Sequence, residues 1–172
     1  MFKAFVLALV LACNAWAQGV YVGGGPSAYA STTPRFAENL MVGICTATEA
    51  TCSLTNVEGR GDIRNPTAIM YSVESGIKQR MALVTNNAFS AELFSLVMGG
   101  GNIASSSAGG VFSGGGGITF RPNKFPNWSL TVAVRAAYSP VNPGWQPWAN
   151  VQVGYTFHSA ISTTLKAKLL RK

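Results

Sequence analysis

Apolar and polar residues alternate along several segments of this chain, most clearly from Trp128 to Tyr138. In that segment the even positions are Trp, Leu, Val, Val, Ala and Tyr, whereas the odd positions are small or polar. A period of two residues predicts a β-strand with one apolar face. The same period returns from Ile69 to Ile77, with charged residues opposite the apolar ones, and from Val151 to Phe157. A single half-buried strand is common in many folds, so the recurrence is the informative feature.

Eight segments follow this pattern, with turn residues between them. They span residues 19–28, 38–47, 50–57, 67–80, 88–98, 110–121, 127–138 and 147–158. Segments of about ten residues with one apolar and one polar face are typical of an outer-membrane β-barrel. The sequence therefore predicts an all-β fold, an antiparallel up-and-down transmembrane β-barrel of about eight strands.

The connections between these strands differ in length. If the N-terminus is periplasmic, the outward connections are 29–37, 58–66, 99–109 and 139–146, and the periplasmic ones are 48–49, 81–87 and 122–126. The outward set is longer on average and richer in Gly, Ser, Asn and Pro. Long outer loops and short periplasmic turns are typical of bacterial outer-membrane barrels.

Composition supports a chain that turns apolar residues towards lipid. Hydrophobic residues make up 48% of the chain and charged residues only 11%, which is few charges for a soluble domain. Many of the 19 glycines fall inside the predicted strands, and inward-facing glycines suit a narrow barrel. The alternative is a soluble exported β-sandwich or lipocalin-like binding protein, in which the apolar faces would meet one another.

The first seventeen residues have the pattern of a secretory signal peptide. Lys3 is followed by an apolar run from Ala4 to Ala12, and Ala15-Trp16-Ala17 is a small-residue cleavage site. A membrane anchor is the first alternative, although a spanning helix needs about 20 apolar residues. Lipidation at Cys13 is the second. Residues 18–158 are then the predicted barrel.

Export leaves two cysteines, Cys45 and Cys52, in an oxidising compartment. If Thr48-Glu49 is the tip of a two-residue hairpin, the two cysteines lie opposite each other and form a disulfide. The alternative is two free thiols. A metal site is disfavoured because neither a histidine nor a third cysteine lies nearby.

The chain resembles the small eight-stranded outer-membrane proteins of Gram-negative bacteria, the class of OmpA-type and OmpX-type barrels. The features that carry the resemblance are the leader, the alternating segments, the glycine-rich strand Gly110 to Phe120 and the segment Val151 to Phe157. The resemblance is one of pattern and covers essentially the whole mature chain. It implies a monomer in the cell outer membrane, with a structural, surface-interaction or minor-permeability role (porin-like in the last case) and no enzymatic activity. Members typically end on an aromatic residue preceded by alternating apolar ones, which the outer-membrane assembly machinery reads. Val151, Val153, Tyr155 and Phe157 fit that pattern.

The chain continues past Phe157 as a basic C-terminal extension, residues 159–172. Alternation from Ile161 to Leu169 fits another strand, whereas Leu165, Leu169 and Leu170 fit one face of a short amphipathic helix. A periplasmic segment of no fixed structure is the third possibility. Four of its residues are cations that can meet anionic phospholipid head groups, namely Lys166, Lys168, Arg171 and Lys172.

Charged residues also fall within the predicted strands. Glu74, Lys78, Glu92 and Arg135 belong mostly to the inward face, with Arg121 near a strand end where it can instead reach water. Charge that faces lipid is costly, so these groups are expected to pair inside the barrel and to plug its lumen.

The remaining motifs do not predict catalysis or a cofactor. The segment Gly99 to Ala104 matches a dinucleotide-binding pattern, but a serine-rich stretch follows where a helix should begin, so a loop is predicted. His158 and Ser159 would not meet as a catalytic base and nucleophile, because neighbouring residues on a strand point to opposite faces. The net charge of +7 does not predict nucleic-acid binding, because the chain is exported. Arg35, Arg60 and Arg64 lie in or near outward loops, where they are either solvated or in contact with lipopolysaccharide phosphates.

Overall fold

A computed structural model describes residues 19–30, 36–46, 48–62, 65–104, 107–140 and 142–158. The predicted signal peptide, Cys13 and the basic extension 159–172 lie outside the described residues. Most of the described residues belong to eight strands. They are β1 (Gly19–Tyr29), β2 (Phe36–Cys45), β3 (Thr51–Asp62), β4 (Asn65–Thr85), β5 (Phe89–Ala104), β6 (Ser107–Pro122), β7 (Trp128–Ser139) and β8 (Asn142–His158).

The strands form a closed barrel in which each strand pairs with its neighbours in the chain and β8 pairs with β1. All the pairings are antiparallel. The predicted fold class is therefore confirmed, and the β-sandwich is excluded. None of the described residues belongs to a helix long and apolar enough to cross a membrane.

The stagger of the barrel follows from its register. From Gly19, the chain of directly paired residues passes through Cys45, Cys52, Lys78, Leu96, Gly115, Arg135 and Trp148 and returns to β1 at Tyr29. Tyr29 is ten residues beyond Gly19. Ten residues at about 3.3 Å each, over eight strands about 4.8 Å apart, correspond to a strand tilt of about 40°.

Side chains alternate between the inside and the outside of the barrel, as the sequence predicts. On β7, Leu130 and Val132 are 44% and 42% exposed, whereas Thr131 and Ala133 are 6% and 4% exposed. On this strand the large apolar residues thus lie on the outside. A lipocalin-like protein would instead keep an apolar ligand cavity inside its barrel.

Outward aromatic residues on β7 and β8 form a belt near each end of the barrel. Trp128 and Tyr138 lie near the two ends of β7, and Tyr155 and Trp145 near the two ends of β8, ten residues apart in each case. At about 3.3 Å per residue and a tilt of about 40°, the belts are about 25 Å apart along the barrel axis. That is the height of the apolar band of outer-membrane barrels.

We call one end of the barrel the turn end and the opposite one the loop end. The turn end holds Gly19, His158 and the β2–β3, β4–β5 and β6–β7 turns. The prediction of long connections at the loop end is wrong. The strands extend so far that only residues 30–35, 63–64, 105–106 and 140–141 separate them. The segment Gly99 to Ala104, predicted as a loop, is part of β5. Glycine and serine weaken the local signal for a strand, but pairing with β4 and β6 holds these residues in the ladder.

The sealed lumen as the candidate functional site

An ion pair crosses the middle of the barrel interior. Arg135 on β7 is 2% exposed, and its Nη2 lies 3.6 Å from Oε1 of Glu74 on β4. The other oxygen of Glu74 accepts a hydrogen bond from the Ser113 hydroxyl. The Nη1 of Arg135 lies 2.6 Å from the sulfur of Met98. Buried charges need partners of this kind, because removing them from water is otherwise expensive.

Two aromatic rings stack above this ion pair towards the loop end. The Trp148 ring lies 3.9 Å from the Arg135 guanidinium, a cation–π contact. Tyr29 stacks on Trp148 at 5.4 Å between centroids, and its hydroxyl donates a hydrogen bond to the Glu58 carboxylate. Glu58, Tyr29, Trp148, Arg135 and Glu74 thus form one continuous chain of contacts across the lumen.

A second group of charges lies closer to the turn end. Lys78 Nζ is 2.6 Å from Oε1 of Glu92, and Arg80 Nη1 is 3.7 Å from its other oxygen. Lys78 also lies over the Phe94 ring at 4.5 Å and donates a hydrogen bond to Thr119.

These two groups involve all four residues predicted for the lumen network. The structure brings Glu74 to Arg135 and Lys78 to Glu92, as two separate pairs. Among the inward side chains that it describes, four carboxylates (Glu49, Glu58, Glu74, Glu92) face four cations (Lys78, Arg80, Arg121, Arg135). This balance leaves little net charge with which the described interior would select ions.

Uncharged polar side chains fill further space between the strands. The Asn39 amide donates to the Ser27 hydroxyl at 2.7 Å and accepts from Gln152 at 2.5 Å. Because these residues come from β1, β2 and β8, the hydrogen bonds link the first strands to the last across the β1–β8 closure.

Inward glycines allow the close approach of a neighbouring strand's backbone or of a large ring. Gly115 is paired with Arg135, and a Cβ on Gly115 would lie 2.7 Å from the Arg135 Cα. Near the turn end, the Tyr21 ring covers Gly23 and Gly154, and a Cβ on either would collide with it. These close approaches explain why glycine occupies interior positions of the strands.

The turn-end half of the interior also contains an apolar cluster. Met41, Leu54, Phe94, Leu96 and Met98 are buried there together with Cys45 and Cys52. All of these except Met98 line a cavity of about 20 Å³, together with polar residues such as Lys78 and Arg121; this is enough space for about one water molecule. The lumen in this half is therefore packed and does not form a channel.

The predicted disulfide between Cys45 and Cys52 is present. The two residues are paired in the β2–β3 ladder, as expected, and the Thr46 amide donates to the Thr51 carbonyl. The turn beyond them is closed by a hydrogen bond from the Glu49 amide to the Thr46 carbonyl. Glu49 itself is only 7% exposed, forms an ion pair with Arg121 and lies 3.3 Å from His158.

Several interior residues were not predicted from the sequence. Glu58 has the same parity as Cys52 and Leu54 and lies just past the predicted end of its strand, so a longer strand would have included it. Trp148 has the inward parity of β8. No local pattern signals Glu49, because a turn residue has no assigned face until the turn is folded.

The predicted assembly segment lies on the outer surface of β8. Val151, Val153 and Phe157 are 44%, 54% and 57% exposed. Tyr155 packs against Trp128 at 5.2 Å and Phe157 at 4.7 Å between ring centroids. These rings belong to the aromatic belt at the turn end.

Solved structures that match this fold include two outer-membrane barrels. The N-terminal β-barrel domain of OprF from Pseudomonas aeruginosa matches with a TM-score of 0.53 at 13% identity, over 83% of this chain and 99% of that one. Neisserial surface protein A matches with a TM-score of 0.56 at 11% identity, over 82% of this chain and 97% of that one. No protein-family model matches the sequence, and no curated protein is significantly similar to it. The chain thus has the fold of the small eight-stranded outer-membrane barrels.

Proposed function

We propose that the protein is an integral, non-enzymatic barrel of the bacterial outer membrane, with a sealed lumen and a structural or surface-contact role. The main support is the arrangement of its faces. An apolar outer band about 25 Å high between aromatic belts matches the hydrocarbon thickness that such barrels cross. A soluble lipocalin-like protein would expose this band to water, where apolar patches of this extent are rare.

The packed interior argues against the minor-permeability role. An eight-stranded barrel has an interior just wide enough for side chains to fill. Here the Arg135–Glu74 pair, the stacked Trp148 and Tyr29, and the apolar turn-end cluster occupy successive levels of it. We therefore favour the structural and surface-contact roles over solute passage.

We propose that residues 1–17 direct export and that the turn end faces the periplasm. The eight-stranded closure places Gly19 and His158 at the same end of the barrel. A leader before β1 and a basic extension after β8 then both leave from the periplasmic side. The cations of residues 159–172 would meet anionic phospholipid there.

The proposed partners are outer-membrane lipid, lipopolysaccharide and the assembly machinery. Arg60 lies on β3 near the loop end, and Arg35 and Arg64 lie outside the described residues; all three remain candidates for lipopolysaccharide phosphates. The outward row of Val151, Val153, Tyr155 and Phe157 is accessible to a machinery that reads a terminal strand. We expect the protein to act as a monomer.

The test of this function is membrane fractionation followed by conductance in planar bilayers. The protein should partition with outer membranes and should give no stable channel openings, with a general porin as the positive control for the assay. Recovery in the soluble periplasm without detergent would refute the membrane location. Regular open-channel steps would refute the sealed lumen and restore the permeability role.

A further inference from the structure

The turn between β2 and β3 folds inward over the turn end of the lumen. Glu49 at its tip is buried and has a φ of +53°. Residues with a side chain rarely adopt this left-handed conformation. Such a conformation persists only when its surroundings hold it, and it often marks a functional position.

Three strands bind this turn from different sides of the mouth. Glu49 forms an ion pair with Arg121 at the end of β6, and its Oε1 lies 3.3 Å from Nε2 of His158 at the end of β8. On β4, the Arg80 guanidinium donates to the Thr48 carbonyl at 3.0 Å, and the Arg80 amide donates to the Ala50 carbonyl at 2.7 Å. The Arg80 contacts continue the β3–β4 ladder, whereas Arg121 and His158 come from strands that pair with neither β2 nor β3.

The disulfide lies directly behind the turn. Cys45 and Cys52 are 3% and 4% exposed, face inward and line the cavity of the turn-end half. Both cysteines are therefore shielded from solvent, and the residues that join them form the turn with Glu49 at its tip.

We propose that Thr48, Glu49 and Ala50 form a latch that closes the turn-end mouth of the barrel and shields the Cys45–Cys52 disulfide from thiol exchange. Exchange needs attack by a thiolate along the S–S axis. In the latched state that approach is blocked by buried, paired groups. Opening must break the contacts of Glu49 with β6 and β8, so these contacts set how often the disulfide is accessible.

The latch also implies an order of events during assembly. Its partners Arg121 and His158 lie at the ends of β6 and β8, and β8 is the strand that completes the barrel. The latch therefore closes only after the last strand is in place. Oxidation of the two cysteines, which needs access to the sulfurs, must come before closure, and closure then protects the product.

The experiment measures reduction of the disulfide in the purified, folded protein in detergent, so its outcome does not depend on the membrane location. Glutathione is the reductant: two molecules reduce the disulfide to two thiols and leave as glutathione disulfide. Trapping with a maleimide counts the thiols over time. The wild-type protein should be reduced much more slowly when folded than after boiling.

Three variants open the latch in different ways. Glu49→Gln removes the charge, Glu49→Gly removes the side chain but tolerates the positive φ, and Arg121→Gln removes one partner. Each should speed reduction by about tenfold or more, because the open form becomes more populated when a buried ion pair is lost. The matched control is Lys124→Gln, an exposed cation in the neighbouring β6–β7 turn, which should change the rate by less than about twofold.

Folding of each variant is checked by its migration without boiling, and any one folded Glu49 variant is sufficient for the comparison. Equal rates in the folded variants and the wild type would refute the latch. A folded wild type that is reduced as fast as the boiled protein would refute it without any variant.

Discussion

Arg135 contacts a carboxylate, a sulfur atom and an aromatic ring inside the barrel. Its guanidinium meets Glu74, Met98 and Trp148. Arg135→Met should lower the free energy of unfolding by about 3–5 kcal/mol, because it leaves Glu74 charged and buried. Urea unfolding followed by tryptophan fluorescence measures this change.

The double variant Arg135→Met with Glu74→Gln is the matched control for that measurement. Removing both charges should recover a large part of the loss, since no uncompensated carboxylate then remains. A loss in Arg135→Met below about 1 kcal/mol, in the range of surface substitutions, would show that the pair is not important for stability.

At the scale of single residues, the sequence predicts whether a side chain points into or out of the barrel, but not which residue it pairs with. The alternation along β7 places Arg135 inside the barrel. Glu74 and Glu92 are also predicted to face inward, because a charged side chain that faces lipid is costly. Which carboxylate meets Arg135 depends on the stagger of the barrel, which brings β4 and β7 together across the lumen. Strand alternation contains no information about that stagger, so both carboxylates were candidates.

At the scale of one element, the outer and inner faces of β7 accept different kinds of side chain. Val132 lies outward near mid-height of the apolar band and Ala133 lies inward. Val132→Arg should impair assembly, because a cation on the outer face near the midplane costs about 2–4 kcal/mol. Ala133→Ser should be mild, since the interior already accepts hydroxyl groups. The fraction of folded barrel recovered from outer membranes measures both, and normal insertion of Val132→Arg with failure of Ala133→Ser would reverse the assignment of the faces.

The ends of the elements were harder to predict than their faces. The segment Gly99 to Ala104 and the residues that begin β6 are rich in Gly and Ser, which favour loops when judged locally. In the barrel they complete a long hairpin, because each residue pairs with a partner on the neighbouring strand. The stabilisation comes from contacts distant in sequence, which local propensity does not include.

At the scale of the whole molecule, closure depends on close backbone approach at particular glycines. A Cβ on Gly100, which faces inward, would collide with the Val73 carbonyl and lie 2.7 Å from the Glu74 Cα, both backbone atoms of β4. A Cβ on Gly114, which faces outward, would have its nearest neighbour at 3.9 Å, the Leu96 carbonyl oxygen.

These two glycines give a matched test of closure. A closed ladder has no exposed edge and keeps its structure in detergent, so the unboiled wild-type protein should migrate differently from the boiled one on electrophoresis. Gly114→Ala should keep that difference. Gly100→Ala should reduce or abolish it, because a backbone collision cannot be relieved by rotating a side chain and β4 and β5 must separate. If Gly100→Ala stays as heat-modifiable as Gly114→Ala, then the β4–β5 pairing is looser at this level than the register indicates, and the packing of Glu74 beside it must be looser as well.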